Sequence, residues 1–482
     1  MNRFLSKLVR LATLVLLIAI PLAAQPPEKP VAGEGAVGEW LGTLEVGPTK
    51  LRLALHVEKK GDGGLAATLD SIDQGGAKIP VDEAVFEHGK LRLTLKAIGG
   101  SYEGTLNVDG SALQGVWSQG GRQLPLTFQR REEAFALNRP QHPQGPFPYE
   151  IREVTFRSEA GNIKLAGTLL VPPGKGPFPA VALVSGSGPQ DRDETLMGHK
   201  PFLVIAGALA RRGIASLRWD DRGAGASEGD HMGSMVNDFA ADAQAAVAFL
   251  RSRPEVNGSA IGIVGHSEGG LIGPMVAAAD PAVGFLVLLA PPGEPLRSLL
   301  TRQTGALLRL QGLDEKLIER SLAAQAEDLA LIADSSLTVD RLQEKLKALA
   351  DSHRQQFTAE ERTRLGVDGD AVERGIRIST TAWFRSLIRQ DPAVYLRSVK
   401  VPVLVLFGEK DFQVDPGVNA EAVRAALAAG GNRDHEVRSL PGLNHLFQHA
   451  KTGGMEEYGT IEETFAPEAL SMIGDWIAAR FR

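Results

Sequence analysis

The chain contains no cysteine among its 482 residues. That excludes disulfides, thiolate-ligated zinc, a thiol nucleophile and a lipidated cysteine anchor in one step. A strong charge imbalance is also missing. The formal net charge is −6 and there is no long basic run, which argues against nucleic acid or an anionic membrane surface as the main partner. Aromatic residues are sparse at 6%, while 43% hydrophobic and 23% charged residues are ordinary for a globular protein. No cluster of histidine and carboxylate has metal-ligand spacing, so neither metal nor cofactor is expected.

The one long apolar run is at the start. Arg3, Lys7 and Arg10 precede "LATLVLLIAIPLAA", Leu11 to Ala24, which ends in small residues. A basic segment, an apolar run too short to span a bilayer and a small-residue end form a signal-peptide pattern. Residues 1–24 are therefore expected to be removed, leaving an exported protein, periplasmic or secreted, with no stable membrane insertion. An uncleaved anchor would carry the same pattern. Residues 25–37 read as a Pro/Gly-rich linker.

From 38 to 132 the pattern is that of strands. "KLRLALHVE" alternates Leu51, Leu53, Leu55 and Val57 with polar or small residues, "KLRLTLKAI" repeats the device, and Asp109-Gly110 is a hairpin-turn signal. A small antiparallel sandwich or barrel is expected there, with His56 and His88 exposed. Residues 133–149 include Pro140, Pro143, Pro146 and Pro148, and read as an extended linker. Beyond it, "IREVTF", "LAGTLLV", "AVALVSG", "IASLRW", "IGIVG", "FLVLLA", "VPVLVLFG" and "HEVRSL" are eight candidate strands. From the third onward helical stretches separate them, which predicts a mainly parallel sheet covered on both faces over 150–482. A helix-rich insertion at about 294–397, with Thr358 and Glu361 spaced as a capping box, reads as a small helical domain.

Two strings have the form G-x-S-x-G: Gly225 to Gly229 and Gly265 to Gly269. That form describes a serine held on a sharp turn between a strand and a helix. Ser267 follows the apolar strand "AIGIV" and precedes the helical "GGLIGPMVAAAD". Ser227 has a loop on both sides, so it is assigned a structural task. Asp411 and His445 follow the last two strands in the order Ser, Asp, His that this arrangement requires. His445 is the expected base and Asp411 its orienting partner, with Glu409 and Asp415 as alternatives to Asp411. Backbone N–H groups of Ser187 and Glu268 are the expected oxyanion donors, with Gly186 next in line. His199, His231, His435 and His449 are expected in loops or on helix surfaces, and "DRDE", Asp191 to Glu194, in a solvated loop, with charge at the pocket mouth as the alternative.

With "GSGPQDRDE", "DDRGAGAS", "GHSEGG", "GEKD" and "LNHLF", the chain from Ile151 to Arg482 resembles the α/β-hydrolase superfamily. The resemblance is to bacterial serine esterases near the prolyl-oligopeptidase-type catalytic domains. It implies an α/β-hydrolase fold with a helical cap over the site, the insertion at 294–397. It also implies that Asp221-Arg222-Gly223 shapes the loop carrying Ser227 beside the pocket. The chain departs from many relatives in reading Ser185-Gly186 where they have His-Gly, and it has no β-propeller. The expected activity is cleavage of a small-molecule carboxylic ester through an acyl-enzyme. A serine amidase, peptidase or thioesterase on the same triad is the alternative, and a non-catalytic binding protein lies further off. Gly186, His266, Trp383 and Phe384 are candidates for the substrate pocket, with ordinary cap core as the alternative for Trp383 and Phe384; nothing in the sequence fixes an oligomeric state.

Overall fold

The computed structural model describes residues 34–481, apart from 47–48, 62, 73–76, 134–136 and 368–369. The signal-peptide segment and most of the linker after it lie outside the described residues. Residues 38–131 form nine antiparallel strands: β1 (Gly38–Val46), β2 (Thr49–Lys59), β3 (Leu65–Ser71), β4 (Ala77–Pro80), β5 (Glu83–Glu87), β6 (Lys90–Leu95), β7 (Gly100–Leu106), β8 (Ala112–Gln119) and β9 (Arg122–Arg131). Their order is β4-β3-β2-β1-β9-β8-β7-β6-β5, and the sheet curls until β3 packs against β5. Leu51, Leu53, Leu55 and Val57 all point into the enclosed core beside Trp40, Tyr102 and Phe128, so the period-two alternation becomes an inside and an outside face. Gly110 turns β7 into β8 with φ of 73°, helped by Asp109, which accepts from Ser111 N at 2.9 Å.

The Pro-rich stretch is more than a spacer. From residue 137 it is laid along the second half of the chain: Arg139 donates to the carbonyls of Met197, Gly459 and Ile461, and Gln141 bonds Thr464 and Phe465.

All eight candidate strands of that half are present: β10 (Glu150–Ser158), β11 (Ile163–Val171), β12 (Phe178–Val184), β13 (Ala215–Trp219), β14 (Val256–His266), β15 (Phe285–Leu289), β16 (Val403–Gly408) and β17 (His435–Leu440). The order is β10-β11-β13-β12-β14-β15-β16-β17; β11 pairs antiparallel with both β10 and β13, and the other pairs are parallel. Helices cover both faces, which is why β15 and β16 are buried at every residue. From β12 the chain moves to one side for β13 and to the other for β14. The crevice at the carboxyl ends of β12 and β14 is therefore the switch point, where open α/β sheets bind ligands.

Between β15 and β16 the chain forms seven described helices, from Leu296–Leu310 to Pro392–Leu396. Thr358 and Glu361 make the reciprocal capping box, with bonds of 2.7 and 3.2 Å. The insertion is not a free-standing domain. Leu296, Leu299, Trp383, Phe384 and Leu387 belong to one apolar cluster with the sheet's Leu286, Leu288 and Val405. Among the described residues, Leu308, Leu313, Leu317, Ile318, Phe357 and Leu365 form a separate buried cluster of its own.

Candidate active site

Ser267 sits one residue beyond the end of β14, with φ of 53°. A non-glycine residue in the left-handed region costs about 1–3 kcal/mol and is held by its surroundings. Here Ser267 N donates to Leu289 O at 2.8 Å, and Ser267 O accepts from Gly270 N at 2.8 Å. The flanking glycines are sterically required. A Cβ on Gly265 would lie 2.1 Å from Gly269 O, and one on Gly269 would lie 2.2 Å from Val184 O. The turn is thus clamped between its own helix and the end of β12.

His445 lies on the loop after β17 and Asp411 on the loop after β16; both are buried. Asp411 Oδ2 accepts from His445 Nδ1 at 2.7 Å. Its other oxygen accepts from Gln413 N and Val414 N at 2.8 and 2.9 Å, which fixes the carboxylate plane. An imidazole donating from Nδ1 to a carboxylate keeps its lone pair on Nε2, the form a general base needs. Glu409 instead accepts from Gly442 N, and Asp415 caps the helix Pro416–Ala429. Of the three acids, Asp411 is the one that meets the histidine.

The loop after β12 passes close by: a Cβ on Gly186 would lie 3.3 Å from Ser267 Cβ. Gly186 N is already used, donating to Glu194 Oε1 at 2.7 Å. The N–H groups of Ser187 and Glu268 donate to no protein acceptor among the described residues. The Glu268 carboxyl is buried, and the Trp383 indole donates to it at 3.2 Å. Burial raises its pKa to about 7, against hydrogen bonds from Ser187 and Trp383 that pull the other way.

A cleft opens beside Ser267, lined by Ser187, Glu268, Leu271, Leu296, Leu299, Leu300, Gln303, Leu387, Gln413 and Val414 among others. Leu296, Leu299, Leu300 and Gln303 come from the first cap helix at helical spacing, so one face of that helix forms the wall. The four pocket candidates read from the sequence do not line this cleft. Gly186 and His266 lie behind the serine, His266 between Glu194 and His445, because the residue before the turn points away from the crevice. Trp383 and Phe384 are cap core; Trp383 reaches the site only through its bond to Glu268.

His199 and His231 lie in loops, as expected, and later segments bury both: His199 bonds to Tyr458 O and Thr464 Oγ1, and His231 stacks on Phe239. One further expectation needs correction. "DRDE" is no solvated loop: Arg192 pairs with Asp220, Asp193 with Arg218, and Glu194 with His266. Ser227 ties strands to a loop, donating to Asp220 O at 2.6 Å and accepting from Ala166 N at 2.9 Å. Arg222 does form part of that loop's support, bidentate to buried Asp242. Among the described residues no group of acidic or histidine side chains could hold a metal ion, and no helix is long and apolar enough to cross a membrane.

Residues 201–451, which include Ser267, Asp411 and His445, match the family described as serine aminopeptidase, S33. Esterase EstD of Thermotoga maritima is 31% identical over 301 residues, 62% of this chain and 61% of that protein. Acyl-coenzyme A thioesterase 1 of Mus musculus is 31% identical over 110 residues, 23% of each. The chain thus spans about three fifths of the first curated relative's length and about a quarter of the second's. Among solved structures, an esterase of Pyrococcus furiosus, Pf2001, is 18% identical, covering 72% of this chain and 98% of that one at a TM-score of 0.41. The matched span is more than half of the chain, which belongs to the serine aminopeptidase S33 family of α/β-hydrolases.

Proposed function

We propose that this protein is an exported serine hydrolase that cleaves small, uncharged carboxylic esters through an acyl-enzyme. The observation that carries the reading is the buried Asp411–His445 pair at 2.7 Å, on the same sheet edge as a serine in a strained turn. His445 Nε2 takes the proton from Ser267 Oγ as the oxygen attacks the ester carbonyl, and Asp411 stabilises the imidazolium. The N–H groups of Ser187 and Glu268 receive the oxyanion, each donor worth roughly 10²–10³ in rate. His445 then protonates the departing alcohol, and water repeats the sequence on the acyl-serine.

The cleft speaks for the substrate class. Away from Ser187, Ser267 and Glu268 its wall is mostly leucine, with Gln303 and Gln413 as polar points, and it includes no lysine or arginine. A peptide amine would call for a charged carboxylate. Glu268 is the acid on the wall, and its pKa near 7 together with bonds to Ser187 and Trp383 makes it a poor ammonium site. That favours esters over aminoacyl amides. Export rests on the pattern of Met1 to Ala24 and is checked by the N-terminal sequence of the mature chain.

Kinetics on p-nitrophenyl esters of graded chain length, beside aminoacyl anilides and acyl thioesters, test the reading. Esters are expected to be preferred, and Ser267→Ala to lose about 10⁶ in kcat. A preference for anilides would replace the esterase reading with the peptidase one.

A further inference from the structure

We propose that Glu194 is a positioning residue for this reaction, one carboxylate oxygen holding the oxyanion loop and the histidine loop in register. The inference rests on the proposed roles of Ser267, His445 and Ser187. Glu194 Oε1 accepts from Gly186 N at 2.7 Å and from His266 Nδ1 at 2.8 Å. The other face of the ring continues the chain, His266 Nε2 donating to His445 O at 3.1 Å. Gly186 is the neighbour of the donor Ser187, His266 is the neighbour of Ser267, and His445 is the base itself. A single buried group therefore reaches all three reacting elements through two hydrogen bonds and one imidazole.

The chemistry of the contacts fixes the charge state. Both nitrogens of His266 face oxygens that accept, a carboxylate and a backbone carbonyl, so both carry protons and the ring is an imidazolium. Burial opposes that charge, but Glu194, the His445 carbonyl and Asp411 together hold the His266 pKa above the ordinary value. Glu194, His266 and His445 are all 5–6% exposed, so the pair is shielded from water. Charge-assisted bonds in such surroundings are short and directional.

Glu194 is itself held firmly. Its backbone is left-handed, with φ of 53°, and its neighbours are pinned by the pairs Arg192–Asp220 and Asp193–Arg218. The space is tight as well: a Cβ on Gly186 would lie 3.2 Å from Glu194 Oε1. Loss of the carboxylate would free Gly186 N, and with it the aim of the Ser187 N–H. It would also leave His266 without the partner that orients it toward the His445 loop.

The test compares wild type, Glu194→Ala, Glu194→Gln and Ser267→Ala, with active sites counted by a fluorophosphonate that labels the nucleophilic serine. Rates on a p-nitrophenyl ester are expressed per labelled site, which removes any misfolded fraction. A trifluoromethyl ketone, which forms an oxyanion adduct, and its carbinol, which does not, are measured as inhibitors. Glu194→Ala is expected to lose about 10²-fold in kcat per site with KM changed less than about threefold. Ketone affinity should fall with kcat while carbinol affinity holds. Glu194→Gln, which keeps an acceptor of the same size for Gly186 N, should recover part of the loss and serves alone if the alanine variant does not fold. If the Glu194 variants keep per-site kcat and ketone affinity within about threefold of wild type while Ser267→Ala is inactive, positioning by Glu194 is refuted and the esterase reading stands. An active Ser267→Ala would overturn both.

Discussion

Replacing Glu268 by glutamine removes a carboxyl that the fold keeps out of water without a cationic partner. Burial lifts its pKa from an ordinary 4.5 to about 7, a difference worth roughly 3 kcal/mol at 1.36 kcal/mol per pH unit. Between those two values the native chain binds a proton that the unfolded chain has released, so stability falls as pH rises. The penalty is absent well below pH 4.5 and complete above about pH 7. Glutamine keeps the size and can still accept from Trp383 and Ser187, yet has nothing to titrate. Urea unfolding of both proteins at pH 5 and pH 8 should therefore show the stability gap moving in favour of Glu268→Gln by roughly 2–3 kcal/mol between the two pH values. A gap that is the same at both would mean that burial does not hold Glu268 neutral, and Glu268 could then serve as a charged site for a substrate amine.

Ser227→Ala should leave kcat/KM per active site unchanged and cost about 2 kcal/mol of stability, since it strands Asp220 O and Ala166 N, at about 1 kcal/mol each; thermal unfolding and ester kinetics check the two halves. Asp411→Asn should lower kcat about 10⁴-fold without unfolding the protein. The reason is local: Gln413 N and Val414 N claim the side-chain oxygen, so the amide nitrogen must face His445 and force the wrong tautomer. A pH-rate profile and circular dichroism separate that outcome from misfolding.

The central strands of the catalytic half were legible because parallel strands covered on both faces leave continuous apolar runs, as in β12, β15 and β16. Ser267 was legible because its turn is enforced by sterics within a few residues, at Gly265 and Gly269. Asp411 and His445 could be found from chain order alone. What escaped is what depends on segments distant in sequence. Glu194 meets a partner 72 residues away, and nothing in "DRDE" marks it as buried rather than solvated. The burial of His199 and His231 depends on distant segments in the same way, through Tyr458 and Trp383. The pocket wall was present in the sequence as Leu296, Leu299, Leu300 and Gln303 at helical spacing. Which face of that helix turns toward Ser267 is decided by docking of the cap, and two bulky aromatics were the more visible and less relevant choice.

The central claim is that Ser267, and not its twin at 227, forms the covalent bond to substrate. The direct measurement is the intact mass of the protein after reaction with a fluorophosphonate or a slowly deacylating ester, followed by peptide mapping. One adduct per chain on the peptide carrying Ser267, absent from Ser267→Ala and undiminished in Ser227→Ala, is the predicted result. An adduct on Ser227, or full ester turnover by Ser267→Ala, would contradict it.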